Sequence, residues 1–148
     1  MAIRHITTFD KPYIFQMLRN YRDTGAFADV EFGDNEEYVS RMLDHIIAGA
    51  GVALVSEVND TITGCLIAIK TPHIWNPDIF TLNELVYWVE PQYRGGSHGY
   101  RLLKEYVNIG QQFKALGWIN NFTVSRRAGT EYNYHRFGFK PQDENWSQ

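Results

Sequence analysis

The chain has 148 residues, 44% of them hydrophobic and 15% aromatic, which suits one self-sufficient globular domain over residues 1–148 and excludes a disordered chain. Its 14 basic and 17 acidic side chains leave a formal charge of −3, so no global positive field exists to hold a nucleic-acid backbone, and no nucleic-acid partner is expected. Cys65 is the single cysteine, which excludes a disulfide framework and a cysteine-rich zinc site and fits a reducing, cytoplasmic setting.

The N-terminal run Met1-Ala2-Ile3-Arg4-His5 is too polar for a secretory segment, and residues 2–7 alternate weakly as a short strand. Asp10 and Pro12 then supply an N-cap and an opening proline for a helix running to about Tyr21, with Ile14, Met17, Leu18 and Tyr21 on one face. Residues 24–34 have no clear period and read as a loop bordering a substrate. A second helix over residues 35–48 gathers Tyr38, Met42 and Ile46 and stops at Gly49 and Gly51. Those glycines also interrupt the longest apolar stretch, so no membrane span and no membrane partner are expected.

Residues 52–58 and 61–70 are rich in β-branched side chains and meet at Asn59-Asp60, the signature of a hairpin. Cys65 lies inside its second strand as a small buried hydrophobe. Residues 71–80, with two prolines and Trp75, form an aromatic loop that could face an acceptor. A strand over 81–90 ends at Pro91, a glycine-rich turn follows, and residues 100–116 place Leu102, Leu103, Tyr106, Val107 and Phe113 along the inner face of a helix. A strand over 118–124, a short helical segment at 130–136 and a final strand opened by Gly138-Phe139 complete the order β-α-α-β-β-β-α-β-α-β.

The turn Arg94-Gly95-Gly96-Ser97-His98-Gly99 carries the strongest chemical signal. Its glycines let the backbone bend tightly and approach a ligand, while the helix behind it offers free N–H groups and a positive dipole end to an anion. No Gly-Lys-Ser/Thr follows, and the dinucleotide spacing is absent. By itself the turn is compatible with either a plain strand-to-helix connection or an anion site.

The run from Val89-Glu90-Pro91-Gln92-Tyr93-Arg94 through Gly99-Tyr100-Arg101-Leu102-Leu103 resembles the coenzyme A motif of the GNAT superfamily of N-acetyltransferases, and Tyr134-His135-Arg136-Phe137-Gly138-Phe139 resembles that family's Tyr-x-x-x-Gly-Phe ending. The resemblance implies an α/β fold of the α+β kind, with a mixed, mostly antiparallel central sheet flanked by helices. It implies acetyl-CoA as co-substrate, with its pyrophosphate cradled by the N–H groups of Gly96, Ser97, His98, Gly99 and Tyr100 next to Arg94 and Gly95. Val89 would receive the pantetheine arm at a splayed strand edge and supply an N–H to the thioester carbonyl oxygen. Ser97 replaces the usual middle glycine, and Arg127 and Thr130 replace a usual asparagine and alanine.

The acceptor implied is a primary amine, either a small molecule or a peptide, attacking directly in a ternary complex. A lysine-like amine with a pKa near ~10.4 costs about 4 to 5 kcal/mol to deprotonate at pH 7, so a base is needed. Glu84-Leu85-Val86-Tyr87 resembles the strand arrangement of family members that use a glutamate for this, and period-two alternation puts Glu84 on the face of Val86 and Trp88. A plain strand carboxylate is the competing reading; Glu90 is a weaker base candidate. Tyr134 matches the tyrosine that returns a proton to the leaving thiolate. His5, His45 and His73 lack ligand spacing, so no metal is expected. Arg126-Arg127, Arg101 and Lys104 are solvated charges or phosphate contacts. The same motif also allows a coenzyme binder without catalysis, and the sequence neither requires nor forbids a homodimer.

Overall fold

The computed structural model describes residues 1–24, 33–126, 133–146 and 148. Its centre is a five-stranded sheet in chain order, β1 (Ala2–His5), β2 (Gly51–Val58), β3 (Thr61–Pro72), β4 (Phe80–Val89) and β5 (Asn121–Thr123). The first four strands pair antiparallel and β5 joins β4 in parallel. The parallel pair follows from the connection, since α3 (His98–Ala115) crosses back over the sheet between them. Among the described residues no helix is long and apolar enough to cross a membrane.

Two helices, α1 (Lys11–Thr24) and α2 (Glu36–His45), cover one face. Ile14, Met17 and Leu43 pack there on Ala53, Val55, Cys65, Ile67, Val86 and Trp88. Leu102, Leu103, Tyr106, Val107 and Ile109 of α3 cover the other face, against Val52, Leu54, Leu66, Ala68 and Leu82. The strands are buried on both sides, which is why they read as continuous apolar runs.

Asp10 accepts from the N–H of Thr7 at 2.7 Å and takes both terminal nitrogens of Arg4, which also reaches Glu57 on β2. It therefore fastens β1 to the start of α1. The hairpin between β2 and β3 turns where expected: Asn59 and Asp60 adopt φ of 49° and 62°, the left-handed pair that a two-residue turn matched to strand twist requires.

Four expectations are corrected. The strand expected over 118–124 shrinks to Asn121–Thr123, because Trp118 stacks on Phe113 at 5.2 Å to close the end of α3. The final strand expected from Gly138 is absent among the described residues: Phe139 packs edge-on against Phe122 and Tyr134, and the exposed run Lys140-Pro141-Gln142-Asp143-Glu144-Asn145 offers neither alternation nor strand propensity. The helical segment before it is a single tight turn, Tyr134–Phe137, while residues 130–132 lie outside the described residues.

The face assigned to Glu84 is the fourth correction. Val86 pairs with Ile67, but Glu84 pairs with the adjacent Ala68, so Leu85 is an extra residue in β4. This bulge interrupts the period of two. Glu84 consequently falls on the α3 side with Leu82 and Tyr87, opposite Val86 and Trp88.

Candidate active site

The pairing of β4 with β5 covers only Thr81, Leu82 and Asn83. Beyond Asn83 no described residue continues the ladder on that side, so β4 runs from Glu84 to Val89 with this edge open. Tyr106 stands at the vertex of the opening. Fully buried on α3, its hydroxyl donates to the carbonyl of Thr123 on β5 at 2.7 Å and lies 3.3 Å from that of Leu82 on β4. One side chain thus holds the two strands together where they separate. Sequence reasoning placed Tyr106 in the core but gave no sign of this contact.

The open edge leads to the glycine-rich turn. Glu90 N–H donates to Thr63 on β3, so the peptide groups of Val89, one residue earlier, face away from β3. The Val89 carbonyl accepts from Arg94 Nε at 2.8 Å, and the Arg94 guanidinium lies over the Trp88 ring at 4.4 Å. Among the described residues the buried indole N–H of Trp88 has no hydrogen-bond partner. Arg94 therefore folds back along the strand it follows.

Gly95 has φ of 86°, a conformation that a side chain would strain. Ser97 has φ of −96° and ψ of 3°, ordinary for any residue, so its replacement of a glycine leaves the turn intact. A Cβ on Gly99 would come within 3.1 Å of the Tyr87 hydroxyl, which donates to the Gly99 carbonyl. Tyr87 and Val89 pack beneath this glycine, bringing the start of α3 close to β4. His98 points its ring inward, with Nδ1 2.8 Å from the Thr63 hydroxyl, which itself meets Ser56. Its side chain anchors the helix to the sheet, and its N–H, with those of Gly99 and Tyr100, lies in the first turn where no intrahelical acceptor exists. These N–H groups, the dipole of an 18-residue helix and an exposed turn fit a pyrophosphate. The adjoining open edge fits an extended amide-bearing arm.

At the other end of this edge the two expected catalytic side chains meet on one residue. Ser125 lies close enough to the Glu84 carboxyl for its N–H and hydroxyl to favour the ionised form, and its carbonyl accepts from the Tyr134 hydroxyl at 2.9 Å. Burial raises the Glu84 carboxyl to about 7, against the opposing pull of the Ser125 donors. Ser125 was not singled out by sequence reasoning, because a serine between a strand and a loop carries no signal of its own. Glu90 lies on the α1 side, with both carboxylate oxygens at 3.1 and 3.2 Å from Asn20 Nδ2.

The other candidates stay apart. Cys65 is fully buried, and burial pushes its thiol up to about 12, which makes it unreactive. The loop carrying the exposed Trp75 sits at the start of β4, at the opposite end of that strand from the turn, and its His73 is engaged by Thr81 at 2.6 Å. Arg101, Lys104 and Arg126 are exposed. Arg127, Thr130 and most of the expected 24–34 loop lie outside the described residues. Among the described residues no three His, Cys, Asp or Glu side chains are grouped to hold a metal ion.

No family model and no curated protein matches the sequence. Solved structures do. A protein of Clostridium acetobutylicum described as a predicted acetyltransferase, solved with acetyl-CoA, superposes with a TM-score of 0.74 at 18% identity over 99% of this chain and 94% of its own. A Trypanosoma brucei acetyltransferase gives 0.72 at 14% identity over 99% and 97%. A ribosomal-protein-alanine N-acetyltransferase of Brucella melitensis biovar Abortus gives 0.69 at 12% over 100% and 99%. The class defined is an α/β protein built on one mixed sheet; in particular, the fold is that of the GNAT superfamily of N-acetyltransferases.

Proposed function

We propose that this protein is an N-acetyltransferase that passes the acetyl group of acetyl-CoA to a primary amine by direct attack in a ternary complex. One observation carries the reading: a strand edge open among the described residues, between an anion cradle at the start of α3 and the half-buried Glu84 carboxyl near Ser125, whose carbonyl accepts from the Tyr134 hydroxyl. From Glu84 to Val89 this edge extends about 17 Å at ~3.3 Å per residue, room for an arm laid out as an extra strand. The acetyl-CoA complex of the clostridial protein with the same fold supports the choice of donor.

The roles follow from the side chains. The N–H groups from Gly96 to Tyr100, with Arg94 and Gly95 shaping the turn, would hold the pyrophosphate. The Val89 peptide would meet the arm once Arg94 releases its carbonyl. Acetyl-CoA supplies an activated thioester. Glu84, titrating near neutrality, is poised to take a proton from the ammonium form of the acceptor, and the neutral Tyr134 hydroxyl can return one to the departing sulfur. No covalent enzyme intermediate is required, and buried Cys65 takes no part.

Thiol release from acetyl-CoA should be followed with a panel comprising a lysyl peptide, a free peptide N-terminus, a polyamine and an amino sugar. Amine-dependent release is expected with at least one, falling roughly 10²-fold or more in Glu84→Gln and in Tyr134→Phe while coenzyme binding persists. Coenzyme binding without release for any amine would make the protein a coenzyme A binder instead.

A further inference from the structure

We propose that the His98 side chain is itself a coenzyme ligand, donating a hydrogen bond from Nε2 to the pyrophosphate. The proposal rests on the assignment of that group to the glycine-rich turn. His98 opens α3 beside the turn. Its Nδ1 lies 2.8 Å from the Thr63 hydroxyl, so the opposite edge of the ring, Cδ2 and Nε2, points away from β3. That edge lies at the turn: Cδ2 would be 3.6 Å from a Cβ placed on Gly96. The Tyr93 ring flanks the imidazole at 5.4 Å.

Which nitrogen carries the proton decides whether an anion is accepted there. With its proton on Nδ1, a neutral imidazole would turn the Nε2 lone pair toward the phosphates; with the proton on Nε2 it offers a donor. The hydroxyls behind the ring select the second form. Ser56 and Thr63 are both fully buried, with their hydroxyl oxygens 2.8 Å apart. Among the described residues Thr63 is the one partner of the Ser56 hydroxyl, so Ser56 donates to Thr63. The single hydroxyl proton of Thr63 is then left for His98 Nδ1 at 2.8 Å or the Ser56 carbonyl at 3.3 Å, and the shorter contact takes it. Nδ1 therefore accepts, and the proton of the neutral ring sits on Nε2. The relay from Ser56 through Thr63 to His98 ends in an N–H at the turn, where a charged phosphate oxygen is a stronger acceptor than a neutral one.

Long-range nitrogen-15 spectra of the neutral ring should show the proton on Nε2, and coenzyme A should shift that resonance. Two variants then separate a ligand from a mere anchor. His98→Asn keeps an acceptor at the Nδ1 position and removes the outer N–H, so coenzyme A should bind about tenfold or more weakly, with unfolding stability unchanged. His98→Gln carries an amide N–H to the Nε2 position and should recover most of that affinity, even where losing the Thr63 contact weakens the fold. A proton on Nδ1 of the neutral ring, native affinity in His98→Asn, or equal weakening in both variants overturns the proposal and leaves the coenzyme reading standing. Failure of the native protein to bind coenzyme A overturns both.

Discussion

Glu84 shows how much one residue's setting decides. A carboxyl with an ordinary value near 4.5 is raised to about 7 by burial beneath α3. The folded state therefore binds this proton more tightly than the unfolded chain does. The associated stability is fully present below pH 4.5 and is lost as the pH rises through 7. At ~1.36 kcal/mol per unit the loss approaches about 3 kcal/mol by pH 8. Denaturant unfolding of the native protein and of Glu84→Gln should show it: the glutamine variant gains on the native protein between pH 5 and pH 8. Parallel curves for the two proteins would remove Glu84 as the source. With Glu84 as the proposed base, acetyl transfer would have the opposite dependence, since a base must be ionised, so the pH range that favours proton removal would also destabilise the fold.

At the scale of elements, the decisive device is the junction of β4, β5 and α3. Only three rungs join β4 to β5, and the Tyr106 hydroxyl binds the two strands at the last of them. Tyr106→Phe keeps the ring against Phe122 but frees two carbonyls from their shared donor. It should cost about 1–2 kcal/mol in denaturant unfolding, and amide exchange should speed up in β5 before β2 or β3. Much of this architecture was legible in the sequence. Asn59-Asp60 set the hairpin, the apolar face of α3 read correctly, and the glycine turn sits where the motif put it. The bulge at Leu85 did not show, because Glu84 to Trp88 alternates as smoothly as an unbroken strand; only pairing with β3 reveals the extra residue. Likewise Gly138-Phe139 resembled a strand opening, whereas Phe139 is claimed by Phe122 and Tyr134. Contacts such as His98 with Thr63 join residues far apart in sequence and leave no local pattern.

For the whole molecule, the sheet acts as a frame that is rigid on one side and unfinished on the other. β1 to β4 form a continuous antiparallel block covered on both faces, and the site lies where that block lacks its next partner. A ligand filling this gap binds the folded state alone. Acetyl-CoA at ~100 times its dissociation constant should therefore raise the unfolding free energy by about 2.7 kcal/mol, visible as a thermal shift. An unmoved transition at such a concentration would refute the coenzyme assignment.

The fold-back of Arg94 onto the Val89 carbonyl has a consequence for solubility. A stretch of β4 whose ladder no described residue continues is an invitation to another chain, since exposed peptide groups recruit any strand that passes, including one from a second copy of the same protein. Arg94 occupies the acceptor at the turn end with a charged group, and the Leu85 bulge disturbs the register at the other. The protein thus keeps open a gap fitted to a narrow, flexible guest while making it a poor template for a neighbouring β-strand.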